Sequence, residues 1–329
     1  MRRHYSLSTY LRARFGRRVQ KVPLDAGFTC PNRDGTLSGA GCVFCNPFGS
    51  GTGLSGSGPS DSGMTLAEQW DFWRDRLAKK YKTASFLAYL QSFSNTYGPL
   101  ERLREVLEEL LALPGLTGIC LGTRPDCLDR EKIALLAEAP VEELWLEIGL
   151  QSANNQTLKR INRGHDRETF AWAAGLAAKQ GLNVCAHVIA GLPGETPNDF
   201  LATVEFINGL PVRGIKFHNL YVCRGSTLAA WWKRGEYAPL SREEYVAWLA
   251  EALPWLRPDI VVHRLASDPK PGELLAPDWA SDKRTTLKRL DEALKALNTW
   301  QGKALFPDKE MPAWFSPDTK PPESIRVKD

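Results

Sequence analysis

The sequence predicts an α/β protein. Its centre is a parallel sheet curled into a partial barrel of six strand-helix units, open on one side, with a basic N-terminal extension and a C-terminal α/β extension. Three observations carry this. Six apolar runs of strand length alternate with five segments of helical periodicity. A strand returns parallel to its neighbour only through a connection long enough to cover one face, which each helical segment supplies. A closed eight-fold barrel needs two further units, so six leave a gap. With 329 residues, 43% of them hydrophobic, the chain has ample material for one large core.

The strands are expected near 19–25, 84–90 ("ASFLAYL"), 116–121 ("LTGICL"), 142–149 ("EELWLEIG"), 183–190 ("NVCAHVIA") and 213–220 ("RGIKFHNL"). Helices are expected between them at 65–82, 99–112, 129–138, 166–180 and 196–208. Active sites of such sheets gather at the carboxyl ends of the strands. The glycine- and serine-rich stretch 49–63 reads as a mobile loop beside the cysteines. Beyond about 225 the pattern loosens into a helix near 241–252, an apolar run at 259–264, a helix near 283–297 and a tail with Pro307, Pro312, Pro317, Pro321 and Pro322. That tail packs, if at all, through Trp314 and Phe315. The expected parts are a basic arm at 1–18, the barrel at 19–225, an extension at 226–303 and a proline-rich tail at 304–329.

Net charge is only +4, but residues 1–24 hold seven basic side chains and no acidic one. A transit peptide can look like this. Here the arm runs straight into the first strand, so cleavage would fall inside the fold. No window reaches the roughly 18 apolar residues of a membrane span. Seven cysteines, an odd number, without a secretion signal point to reduced thiols and metal chemistry in the cytoplasm.

Three of those thiols, Cys30, Cys42 and Cys45, stand in "CPNRDGTLSGAGCVFC" with eleven and then two residues between them. Three soft thiolates suit zinc or an iron-sulfur cluster. A structural zinc site closes with a fourth Cys or His. His4 is the one histidine before residue 165, and Asp25 and Asp34 are poor substitutes. A cubane with three protein ligands instead leaves one iron open to chelate a small molecule.

At this point the sequence resembles the radical S-adenosylmethionine (radical SAM) superfamily, in which three cysteines after the first strand of a six-unit partial barrel hold a 4Fe-4S cluster. Phe44 before the last cysteine fits. The long first gap is closer to the catalytic subunit of Elongator than to the commonest spacing. The resemblance implies that Glu147, Gln151 and Ser152 in "LEIGLQSAN" lie near the ribose or methionine of S-adenosylmethionine. It also implies that the backbone from Ile189 to Gly191 in "HVIAGLPGET" runs along the adenine. The expected Gly-Gly-Glu after the second strand is missing; in "QSFSNTYGP", Gln91, Ser92 or Asn95 stands in its place. "PLDAGFTCPNRDGT", "SNTYGP", "TRPDCL", "GLQSAN", "INRGH", "GLPGET", "HRLASD" and "TWQGK" together resemble the Elongator-like YhcC/YtqA (MnmL-type) group of bacterial radical SAM proteins.

This resemblance implies reductive cleavage of S-adenosylmethionine to a 5'-deoxyadenosyl radical, with a reductase such as flavodoxin or ferredoxin as partner. It further implies tRNA as substrate: conversion of a carboxymethylaminomethyl group to aminomethyl at carbon 5 of a wobble uridine. The basic arm would meet phosphates, and Phe48, Phe93, Tyr97 and Tyr221 would stack on a splayed base. The plainer alternatives are a solvated helix face and loop packing. Cys120 and Cys185, within strands, are expected in the core. Cys127 and Cys223, after strands three and six, are the candidate catalytic thiols or hydrogen donors, and scattered thiols do not suggest a second cluster. His187 and His218 are expected as satisfied inner-layer histidines. The rival functions are a radical SAM enzyme on a small-molecule or porphyrin-type substrate, and a zinc-stabilised RNA-binding protein without catalysis.

Overall fold

Strands form where the apolar runs stood, and every described α-helix except that at Leu100–Leu111, which follows Pro99, begins at a side-chain cap. The structure, a computed structural model, describes residues 2–46, 63–316 and 319. In chain order the elements are α1 (Leu7–Phe15), β1 (Val19–Leu24), α2 (Leu66–Tyr81), β2 (Ser85–Leu90), α3 (Leu100–Leu111), β3 (Leu116–Thr123), α4 (Arg130–Ala137), β4 (Glu143–Gln151), α5 (Asn155–Arg160), α6 (Arg167–Lys179), β5 (Asn183–Ala190), α7 (Pro197–Asn208) and β6 (Gly214–Asn219). They continue with β7 (Val222–Cys223), α8 (Thr227–Lys233), α9 (Arg242–Ala252), β8 (Val261–Arg264), β9 (Leu274–Ala276) and α10 (Lys283–Ala296). The caps explain the sharp starts. Thr65 with Glu68, Thr196 with Asp199 and Ser241 with Glu244 form capping boxes for α2, α7 and α9.

The sheet is parallel and runs β1-β2-β3-β4-β5-β6-β8. It therefore has seven strands rather than six. The seventh, β8, comes from the short apolar run in the C-terminal extension and pairs with β6 from Gly214↔Val261 onward. Helices cover the outer face through a continuous apolar cluster that includes Leu24, Leu90, Leu121, Leu146, Val188 and Phe217.

The basic arm is part of this fold. Ser6 bridges to Val262, Val262 donates its N–H to Tyr5 O at 2.7 Å, and Tyr5 and Leu11 are buried. At the amino end of the barrel, Tyr5 and Leu11 meet Trp145, Cys120, Cys185 and Phe315. Phe315 stacks on Tyr5, so the tail does pack through it. "TWQGK" closes the same end: Gln301 Nε2 donates to Arg257 O and Ile260 O, while its Oε1 accepts from Tyr5 N. Phe48, the 49–63 stretch except Gly63, and Pro317, Pro321 and Pro322 lie outside the described residues. Among the described residues no helix is long and apolar enough to cross a membrane.

Candidate active site

The plugged amino end leaves the carboxyl end of the barrel open. A cavity of about 360 Å³ opens there, walled by the segments that follow β1 to β6 and β8. Cys30, Cys42 and Cys45 all line it, none of them in a disulfide. Their loop is short of regular structure and is held from three sides. Val43 N donates to Ile161 O at 3.0 Å, Leu228 N at the start of α8 donates to Val43 O at 2.8 Å, and Asn162 Nδ2 donates to Gly41 O at 2.7 Å.

Two motifs from the sequence find their purpose here. In "INRGH", Asn162 grips the cysteine loop, and Arg163 places Nη1 3.5 Å from Cys42 Sγ and Nη2 2.9 Å from Gly149 O. In "TRPDCL", Arg124 is pinned by Asp126 through Nε at 2.9 Å and donates from Nη2 to Arg163 O at 2.7 Å. Asn32 Nδ2 also stands 3.5 Å from Cys42 Sγ. A hydrogen bond from Cys45 pushes the Cys42 thiol well below its usual value, against the opposing effect of burial and with the help of Arg163 and Arg124. Gly149 sits so close that a Cβ there would fall 2.4 Å from Arg163 Nη2. No three His, Cys, Asp or Glu side chains among the described residues converge as a single ion would require; the three thiols instead share the wall of a larger cavity.

The floor is a buried charge hub. Glu147 is fully buried and accepts from Lys21, from Lys216 Nζ at 2.6 Å and from His187 Nε2 at 2.8 Å. His263 Nδ1 is 3.4 Å from the same carboxylate. Burial alone would raise the Glu147 pKa, but the two lysines and two histidines outweigh it and hold the group well below the usual carboxylate range. Lys216, desolvated and facing Lys21 and Arg264, is pushed down to about 8 despite Glu147.

The other expected site residues divide. Gln91, Glu147, Gln151, Ile189 and Cys223 line the cavity together with Phe93, His187, His218 and Tyr221. Gln151 takes a left-handed φ of 75° at a break in the β4–β5 register. Ser92, Asn95, Ser152, Gly191 and Cys127 stand behind the wall. Asn95 Nδ2 is spent on Ser92 O and Gly122 O, Ser152 donates to Glu195, and Gly191 O accepts from Tyr237. The Ser92 hydroxyl is buried without a partner. Burial pushes the thiols of Cys127 and Cys223 up to about 12. Tyr97 bonds through its hydroxyl to Thr36 at 2.7 Å, tying the cysteine loop to the segment after β2. Sequence reasoning missed Lys21, Arg124, Arg163, Lys216, His263 and Arg264. Lysine inside the apolar runs "VQKVPL" and "GIKFHN" was the available signal.

The family model described as "Radical SAM superfamily" matches residues 39–207, and "Radical_SAM C-terminal domain" matches 212–296. The chain belongs to the radical SAM superfamily. Members of this superfamily bind a 4Fe-4S cluster and S-adenosylmethionine. Cys42 and Cys45 fall inside the superfamily match and Cys30 just before it. Protein YtqA of Bacillus subtilis (strain 168) is 36% identical over 303 residues, covering 92% of each chain. The tRNA uridine(34) acetyltransferase of Dehalococcoides mccartyi is 28% identical over 174 residues, 52% of this chain and 37% of that one. Among solved structures, Elp3 of Methanocaldococcus infernus, lacking its N-terminus, superposes with a TM-score of 0.62 at 18% identity, covering 86% of this chain and 64% of that one. The radical SAM chain thus groups with YtqA over nearly its whole length and shares the half-barrel fold of Elp3.

Proposed function

We propose that this radical SAM enzyme binds a 4Fe-4S cluster through Cys30, Cys42 and Cys45 and acts on tRNA, converting carboxymethylaminomethyl to aminomethyl at carbon 5 of a wobble uridine. The observation that carries the cofactor assignment is the set of three cysteines, none in a disulfide, on one cavity wall, with N–H donors of Asn32 and Arg163 aimed at Cys42 Sγ. Such a donor set fits a cluster, because N–H groups on the sulfurs and a low thiol pKa favour the ligating thiolate. When bound, the cluster and S-adenosylmethionine would supply radical abstraction of hydrogen from the carbon next to nitrogen; S-adenosylmethionine, ending as 5'-deoxyadenosine and methionine, would be the two-electron oxidant, and water would cleave the resulting imine to the aminomethyl group and glyoxylate.

This chain's residues do the rest. Gln91, Gln151 and the backbone at Ile189 line the space beside the cysteines and are the contacts proposed for S-adenosylmethionine. Glu147 orders Lys21, Lys216 and His187 into a rigid floor rather than binding ribose itself. The plug at the amino end closes the barrel to solvent, protecting reactive species from side reactions. The tRNA assignment is supported by the likeness to the Dehalococcoides tRNA uridine(34) acetyltransferase, with Phe93 and Tyr221 available on the cavity wall for a splayed base.

Anaerobic reconstitution tests the first part. The expected result is a brown protein with about four irons that bleaches with dithionite and releases 5'-deoxyadenosine; a colourless protein holding one zinc overturns it. Mass spectrometry of tRNA nucleosides from a strain lacking the protein tests the second. Carboxymethylaminomethyluridine should accumulate at the expense of aminomethyluridine, and an unchanged profile removes the RNA assignment.

A further inference from the structure

The cavity holds more positive charge than its own carboxylates answer. Lys21 and Lys216 share the single carboxylate of Glu147. Arg264, at the end of β8, adds a third cation. Its Nη2 lies 2.6 Å from the His218 ring, its Nε is buried without a hydrogen-bond partner, and no acidic group pairs with it among the described residues. The acids at the cavity mouth are engaged elsewhere. Asp268 pairs with Lys283 at 2.7 Å, and Glu273 accepts from Asn46 at 3.0 Å. Arg264 is half-buried on the cavity wall, and a guanidinium partly withdrawn from water without an anion is costly, so this arginine is built for an anion that arrives with a ligand.

We propose that Arg264 binds a carboxylate on the molecule processed in the barrel. The planar guanidinium fork matches a carboxylate edge, with two N–H groups meeting two oxygens. Arg33 and Arg163, the other cavity arginines without an acidic partner among the described residues, belong to the cysteine end: Arg33 donates to Cys45 O, and Arg163 to Cys42 and Gly149. Arg264 stands on β8, beyond β4 and β5, which carry the candidate contacts for S-adenosylmethionine. Neutral His218 holds the guanidinium in place, so the fork is set before the ligand enters. The proposal rests on the function given above and sharpens it: the substrate is recognised by its acid group, and the aminomethyl product, lacking that group, is released.

The test uses reconstituted holoenzyme and two anticodon-stem RNAs that differ only in bearing carboxymethylaminomethyl or aminomethyl at the wobble uridine. Wild-type protein should bind the carboxylate form roughly ten- to a hundredfold more tightly, as expected for a charge-assisted hydrogen bond. Arg264→Met should bind both equally while its affinity for S-adenosylmethionine stays unchanged, which also shows that it folds; Arg264→Lys should keep part of the preference. Equal binding by wild type overturns the proposal. So does an Arg264→Met variant that keeps the preference, or one that loses S-adenosylmethionine instead, which would give this carboxylate site to the cofactor's methionine. If neither RNA binds, the RNA assignment fails separately, and the same comparison with the two free nucleosides decides the role of Arg264.

Discussion

The two faces of the sheet are both buried, yet they obey different rules. In β4, Leu144, Leu146, Ile148 and Leu150 join the outer cluster under the helices, while Trp145, Glu147, Gly149 and Gln151 point into the barrel. β6 repeats the division, with Ile215 and Phe217 outward and Lys216 and His218 inward. On the outer face only volume and contact matter, so many apolar side chains would serve. On the inner face every polar atom needs a specific partner, because burial without one costs far more than a lost methylene. The outer face makes the fold, and the inner face makes this particular enzyme.

Acid should break the inner face first and with the largest effect. All five histidines are held below 6.5, in each case chiefly by burial: His4 and His187 at about 4, His165 and His263 at about 3, and His218 well below. Three of them, His187, His218 and His263, face the barrel interior. In the unfolded chain each regains a pKa near 6.5. The folded values are the lower ones, so as pH falls below 6.5 the unfolded state takes up protons that the folded state refuses, and stability falls with pH. This loss continues until the folded state itself protonates near pH 3 to 4. Glu147, depressed in the fold, adds to it only below its unfolded value of about 4.5. Urea unfolding of the metal-free protein should show a midpoint that drops steadily from pH 7 to pH 4, with a slope approaching five protons per chain. A flat midpoint between pH 6.5 and 5 would mean that the interior is not dry.

Removing the charge at the hub comes next. Glu147→Gln leaves Lys21 and Lys216 buried without a counter-charge, and breaking such a pair costs about 3–5 kcal/mol. The urea midpoint at pH 7 should fall accordingly. Adding Lys216→Met to the same variant should recover part of the loss, because the second unpaired ion is gone. A Glu147→Gln protein as stable as the wild type would show that the lysines are hydrated in solution.

The outer face was readable in the sequence and the inner one was not, for a physical reason. Apolar runs and helix periodicity report burial under helices, and caps such as Thr65, Asp129 and Thr196 mark where helices start, so the expected elements fall within one or two residues of the observed ones. The triad and its loop were also visible, because three thiols in sixteen residues have few other uses. What stayed hidden depends on closure of the barrel. Lys21 meets Glu147 across 126 positions of chain, and Arg163 reaches Cys42 across 121. Neither separation has a local signature. The strand at Val261–Arg264 was seen as an apolar run, but its place beside β6 is set by pairing, which composition does not encode. The N-terminal arm looked like a solvated basic face, since its six arginines drew attention from Tyr5, Tyr10 and Leu11, which anchor it.

The smallest effect expected here is also the cleanest control. Leu146 is fully buried and immediately precedes Glu147, but it faces the helices. Leu146→Ala removes volume from a close-packed layer and should cost about 2–5 kcal/mol, less where neighbours relax into the space. Nothing on the cavity wall changes, so iron content after reconstitution and the rate of S-adenosylmethionine cleavage per folded molecule should match the wild type at low temperature. Glu147→Gln, one residue away, should lose comparable stability and also disturb the cavity. If Leu146→Ala lost cluster or activity while still folded, the two faces would be mechanically coupled through the strand, and the division between them would hold for packing alone.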